Sequence, residues 1–341
     1  MIIKQSFWCR LRTDLSDQRK VSLFLCEGDK LVWLIIIIKG KEERNMEQIL
    51  RYYRQTSCYT DLGYYKEFAE RLPDSVDALC ILQRMQIIHP VVFLNDPDIR
   101  RKQDTFWGDM TKVPTTKLMF EDELFPTAIS MLSELLRRNG DYSVHREAKD
   151  KLHVTCRGQA ILLAAVLKAK GYPARARSGF APYIKYNGIC YDHWITEYYK
   201  EEEARWVLVD ADLHCPDHEI DFDLNDMPRN RFLFGAEAYL GLRRGAYTED
   251  QILYASNPPT IGLKAAIRGL LFDFHCLMND EILFYHVPVY IQDHDFTLSE
   301  EEYQELDELA ELMLEPDGNF ESLCGIWKTR EKFRMMTGAM N

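Results

Sequence analysis

The feature that most constrains this chain is a helix that cannot lie at a surface. From about Arg157 to Lys170 the residues are apolar around most of the helical circumference. A surface helix carries only a stripe of apolar residues, so this one is expected to be buried and wrapped by the rest of the chain. Its ends are marked. Thr155 suits the N-cap, Lys168 and Lys170 fall in the last turn, Gly171 suits the position after the C-cap, and Pro173 stops continuation. Cys156 therefore opens the helix, beside unpaired N–H groups and the positive end of the helix dipole. Both favour thiolate over thiol, and the Cys156 backbone N–H is placed to bind an oxyanion.

Two strand-like segments follow, Tyr191-Asp-His193-Trp-Ile-Thr-Glu-Tyr-Tyr199 and Arg205-Trp-Val-Leu-Val-Asp210. Aromatic and β-branched residues dominate both, as strands prefer. By alternation His193, Ile195 and Glu197 share one face, and Trp206, Leu208 and Asp210 share one face of the second segment. The polar run Lys200-Glu-Glu-Glu-Ala204 reads as a hairpin loop. In such a hairpin the start of one strand neighbours the end of the next, so His193 and Asp210 meet at one edge. A thiol, a base and a carboxylate that orients the base are the parts of nucleophilic acyl transfer.

These pieces, with Gly171-Tyr-Pro-Ala-Arg-Ala-Arg-Ser-Gly-Phe180, resemble the transglutaminase-like superfamily, a circularly rearranged relative of papain-type cysteine proteases. The motif region covers roughly residues 150 to 215. Weaker likeness to a bacterial subfamily of unsettled function continues through Phe222–Phe232 to Asp280-Glu281. The resemblance implies an α+β fold, with a Cys-bearing helix packed on an antiparallel sheet bearing His and Asp, and extra helices on both sides. It implies Cys156 as nucleophile, His193 as general base and acid, and Asp210 as the orienting carboxylate. The expected substrate is a peptide, protein or small amide, with no cofactor; no metal is expected, since the chain lacks the paired Cys-x-x-Cys ligands of the superfamily's zinc-bearing glycanase branch. Superfamily members often have Pro after this Asp; here Ala211-Asp212 follows, and Asp212 competes for the role.

Composition bounds the function further. The formal net charge of -12 argues against a nucleic-acid partner, and no basic cluster offsets it. Nine cysteines are scattered without a Cys-x-x-Cys pair, which suits free thiols in a reducing, cytoplasmic setting. The cluster His214-Cys215-Pro-Asp-His218 has zinc-type side chains but no second ligand pair, and reads as a polar loop. The apolar run Leu31–Ile38 is too short to span a bilayer. Lys39-Gly-Lys-Glu-Glu-Arg-Asn45 resembles a translated ribosome-binding site ahead of Met46, so residues 1–45 are expected to be a misassigned or non-essential extension, the alternative being a genuine small β-hairpin. The remainder, 46–341, reads as a single domain with its catalytic core at about 115–225.

Around that core, residues 46 to about 95 read as helices, and 96–112 as a loop bordering the site. Leu124–Arg138 reads as an amphipathic helix closed by Asn139-Gly140, and 225–315 as mostly helical, with a capping box at Ser299 and Glu302. Two functions fit: a thiol acyltransferase or amidohydrolase, or a catalytically inactive module that binds a peptide or small molecule in the same groove.

Overall fold

The computed structural model describes residues 44–186, 188–212, 220–256, 258–293 and 295–335. The chain divides into two compact units, Met1–Gln48 and Ile49–Asn341. Of the first, residues 44–48 are described and are helical. The expected extension over 1–45 and the cluster His214–His218 otherwise lie outside the described residues. No helix among the described residues is long and apolar enough to cross a membrane.

The second unit is α+β. Its main helices are α1 (Val76–Arg84), α2 (Ala128–Arg138), α3 (Cys156–Ala169), α4 (Gly235–Arg243), α5 (Gly262–Leu277), α6 (Glu300–Met313) and α7 (Phe320–Thr329). A six-stranded sheet is built from β1 (Ala174–Tyr186), β2 (Ile189–Lys200), β3 (Arg205–Val209), β4 (Leu233–Phe234), β5 (Ile252–Tyr254) and β6 (Thr260–Ile261). The strand order is β6-β5-β2-β1-β4, with β3 also paired to β2.

The buried helix is α3, in which every residue from Cys156 to Lys168 is buried. Gly171 ends it at φ +91°, a conformation glycine adopts without steric cost. The next helix upstream, α2, starts at Ala128 rather than Leu124. Pro126 and a capping box between Thr127 and Ser130 set that start. The Ser299–Glu302 capping box forms as expected at the head of α6.

β1 and β2 pair along most of their length as an antiparallel hairpin, with Gly179 opposite His193. A side chain at Gly179 has no room, because its Cβ would lie 2.3 Å from the Leu233 carbonyl oxygen on β4. Helix α5 packs against α4 through Gly235 and Gly269, where a Cβ on Gly235 would meet the Gly269 carbonyl oxygen at 2.2 Å. A buried ionic network ties the sheet to α5. Arg177 grips Asp273 at 2.7 and 2.8 Å and Glu197 at 2.8 Å, and Arg175 reaches Glu197 at 2.6 Å. Burial alone would raise the Glu197 carboxyl, yet Arg175 and Arg177 hold it down at about 2. The stretch 225–315 is less helical than its composition suggests, since β4, β5 and β6 all lie within it.

Candidate active site

The site arises where β2 changes neighbours. One edge of β2 belongs to β1. On the other edge, β5 pairs in parallel with Cys190 and Tyr191, and β3 pairs antiparallel with Thr196 to Lys200. Asp192 to Ile195 lie between, without a strand neighbour on that edge among the described residues. Helix α3 packs against β2 here, with the Thr196 hydroxyl donating to the Ala160 carbonyl at 3.0 Å, and Cys156, His193 and Trp194 line one cleft.

His193 and Asp210 meet as the hairpin spacing predicts. His193 Nε2 lies 3.0 Å from Asp210 Oδ2, with residue exposures of 2% and 1%. Asp210 is itself held from several sides. The Tyr183 hydroxyl donates to Oδ2 at 2.8 Å, the Asp212 N–H donates to Oδ1 at 2.9 Å, and Arg84 donates to the Asp210 carbonyl at 2.7 Å. Asp212 does not take the orienting position. Its carboxylate instead faces His89, with Nε2 to Oδ2 at 3.6 Å.

Thr155 is the N-cap residue of α3 by its backbone, but its side chain makes no capping bond. Asp122 diverts it, accepting the Thr155 hydroxyl at 2.7 Å and the Thr155 N–H at 3.0 Å. The first turn of α3, with no side-chain cap, presents the positive end of the helix. The expectation of a readily ionised thiol is not met. Burial pushes the Cys156 thiol well above its ordinary value, and Asp212, Asp192 and Asp210 push it further. The Trp194 N–H acts the other way and is outweighed. A helix terminus favours the anion by a fraction of what full desolvation beside carboxylates costs.

Cys156 and His193 open on one cleft of about 930 Å³, whose walls include His89, Asp192, Trp194, Tyr254 and Arg268. The segment 96–112, expected to border the site, packs elsewhere: Ile99, Trp107 and Met110 form a separate core with Val92, Phe93 and Ala148. This part of the chain lines the cleft through His89, Val91, Leu94 and Asn95 instead. His89, Cys156 and Asp212 place one donor atom each within 4.8 Å of one another. An imidazole, a thiol and a carboxylate at that spacing suit Zn²⁺, given a contraction to bond lengths of about 2.0–2.3 Å.

Sequence reading did not single out His89, Tyr183, Asp192 or Arg268. His89 lies ahead of Pro90 and outside any motif, and Tyr183 sits among other strand aromatics, so neither carries a local signal. No curated protein and no solved structure matches the chain. Residues 127–211, the segment that runs from the α2 cap through Cys156 and His193 to Asp210, match the family model of the transglutaminase-like superfamily.

Proposed function

We propose that the protein is a thiol-dependent acyltransferase or amidohydrolase in which Cys156 is the nucleophile, His193 the general base and acid, and Asp210 the residue that orients His193. The observation that carries this reading is the buried 3.0 Å contact of His193 Nε2 with Asp210 in the cleft that also holds Cys156. With Nε2 engaged, Nδ1 is the nitrogen that takes the Cys156 proton. The sulfur attacks the substrate carbonyl carbon, and the oxyanion is received by the backbone N–H of Cys156 in the first turn of α3. Collapse expels an amine or alkoxide that recovers the proton from the imidazolium. Water or a second amine then releases the acyl group by the reverse sequence. Because the thiol is held well above its ordinary pKa, proton transfer accompanies attack rather than preceding it.

The same raised thiol favours one competing reading, a non-catalytic module that binds a peptide or small molecule in the cleft. The two separate by acylation. Incubation with p-nitrophenyl acetate, an acid quench and intact-mass analysis should reveal one acetyl group mapped to Cys156, absent from Cys156→Ser. An unmodified Cys156 with substrate-like peptides still bound would favour the module.

A further inference from the structure

The cleft carries a cation that the acyl-transfer chemistry leaves unused. Arg268 projects from α5 and lines the cleft beside Asp192, Tyr254, Ala255 and Ser256. It is only 5% exposed. Its Nε is buried without a hydrogen-bond partner, and the residue makes no ion pair among the described residues. The other buried arginines of this unit are matched. Arg157 donates to the carbonyls of Pro126 and Ile282, Arg175 to Glu197 and Asp317, and Arg177 to Glu197 and Asp273. Asp192 is the carboxylate of the cleft wall near Arg268, but it does not reach ion-pair distance, and its Oδ1 accepts the Ala255 N–H at 2.6 Å. A guanidinium does not shed its proton, and beyond the through-space charge of Asp192 its Nε has no acceptor in the protein, so an acceptor entering the cleft would offset its desolvation. The chain as a whole is strongly acidic, at -12, and repels anions in general. Arg157, the other arginine that lines the cleft, is spent on the carbonyls of Pro126 and Ile282, which leaves Arg268 as the sheltered arginine of the cleft placed to receive an anionic group.

We propose that Arg268 is an anion subsite and that the amide or ester handled at Cys156 carries a carboxylate, received by the guanidinium fork. The inference rests on the acyl-transfer reading for the reacting atom alone; the anion subsite itself does not need that reading.

The test uses matched neutral and anionic probes. In the full-length protein, iodoacetyl-glycine and iodoacetyl-glycinamide, together with homologues of longer spacer, are reacted in parallel, and labelling is followed at Cys156 and at the exposed Cys58 as internal reference. At least one acid should alkylate Cys156 about tenfold faster than its amide, whereas Cys58 should show no such preference. Arg268→Met should reduce the ratio at Cys156 to about one, and Arg268→Lys should retain part of it. In Cys156→Ser, N-acetylglycine should bind more tightly than N-acetylglycinamide by ligand-observed NMR, and Arg268→Met should remove the difference. Arg268→Met should melt no lower than the parent, since it deletes a buried charge that makes no ion pair among the described residues. Equal rates for acid and amide with no binding preference, or a markedly less stable Arg268→Met, would overturn the proposal. A Cys156 inert to every probe, combined with Arg268-dependent binding of N-acetylglycine, would remove the enzyme reading and leave the anion subsite standing.

Discussion

The Asp212 N–H donates to Asp210 Oδ1 at 2.9 Å, and this bond links two histidine–carboxylate pairs around one cysteine. Asp210 serves His193 at 3.0 Å, while Asp212 faces His89 at 3.6 Å. The loop after β3 thus turns the two carboxylates toward different histidines.

The pairs should respond unequally to substitution. If His193 is the base, His193→Ala should slow Cys156 acetylation by p-nitrophenyl acetate by about 10²–10⁴-fold. His89→Ala should have a much smaller effect. Asp210→Asn should lose more than Asp212→Asn, because it removes the negative charge held against His193. A larger loss in His89→Ala than in His193→Ala would reassign the base.

The pH dependence of alkylation at Cys156 follows from the carboxylates near it. Burial first, then Asp212 and Asp192, raise the thiol, so the reactive thiolate is favoured only as pH rises above the ordinary thiol range. The iodoacetamide rate at Cys156 should therefore be low at about pH 7 and climb past about pH 9. Asp212→Asn removes a negative charge that opposes the thiolate and should move the profile to lower pH. A profile already flat and fast at mildly acidic pH would show an ion pair that the electrostatics argue against.

Zinc should compete for the same sulfur. The His89, Cys156 and Asp212 donors lie within 4.8 Å of one another. Binding would release the thiol proton, so it should tighten with rising pH. Micromolar Zn²⁺ is expected to protect Cys156 from iodoacetamide and EDTA to reverse it, with protection weakened in His89→Ala and Asp212→Asn. Co²⁺ should give a thiolate charge-transfer band that Cys156→Ser lacks. Protection that persists in both ligand variants would place the metal elsewhere.

Asp192 offers a stability test. Burial raises its carboxyl from the ordinary 3.8 to about 6, with the Ala255 N–H and His193 opposing. The folded state thus favours the protonated form. The contribution is whole below about 3.8 and is lost as pH rises through about 6. Above that range the half-buried carboxylate opposes folding by at most on the order of 3 kcal/mol. Asp192→Asn keeps an acceptor for the Ala255 N–H and carries no charge. It should raise the urea midpoint at about pH 8 and change it little at about pH 4. An equal effect at both pH values would show that the charge is not the cause.

Much of the site was legible in the chain itself. An all-round apolar helix announces burial, and Thr155, Gly171 and Pro173 bound it, because capping and glycine conformations are local properties. The hairpin from His193 to Asp210 was legible for the same reason: alternation sets the faces and a short polar loop sets the register. Other features depend on contacts between distant segments. β4, β5 and β6 are two or three residues long, too short for any periodicity, and form by pairing with distant segments, β4 on β1, β5 on β2 and β6 on β5. The ionisation of Cys156 was misjudged from local chemistry, since the helix end is a near-neighbour effect whereas the desolvation and the charges of Asp192 and Asp212 come from elsewhere in the fold. His89 and Arg268, separated by most of the chain, face the same cleft only after the sheet has formed. Sequence alone determined which elements carry the reactive groups, because short-range hydrogen bonding and apolar period dictate them. Tertiary structure decided what surrounds those groups, because burial and Coulomb interactions depend on distance in space and not along the chain.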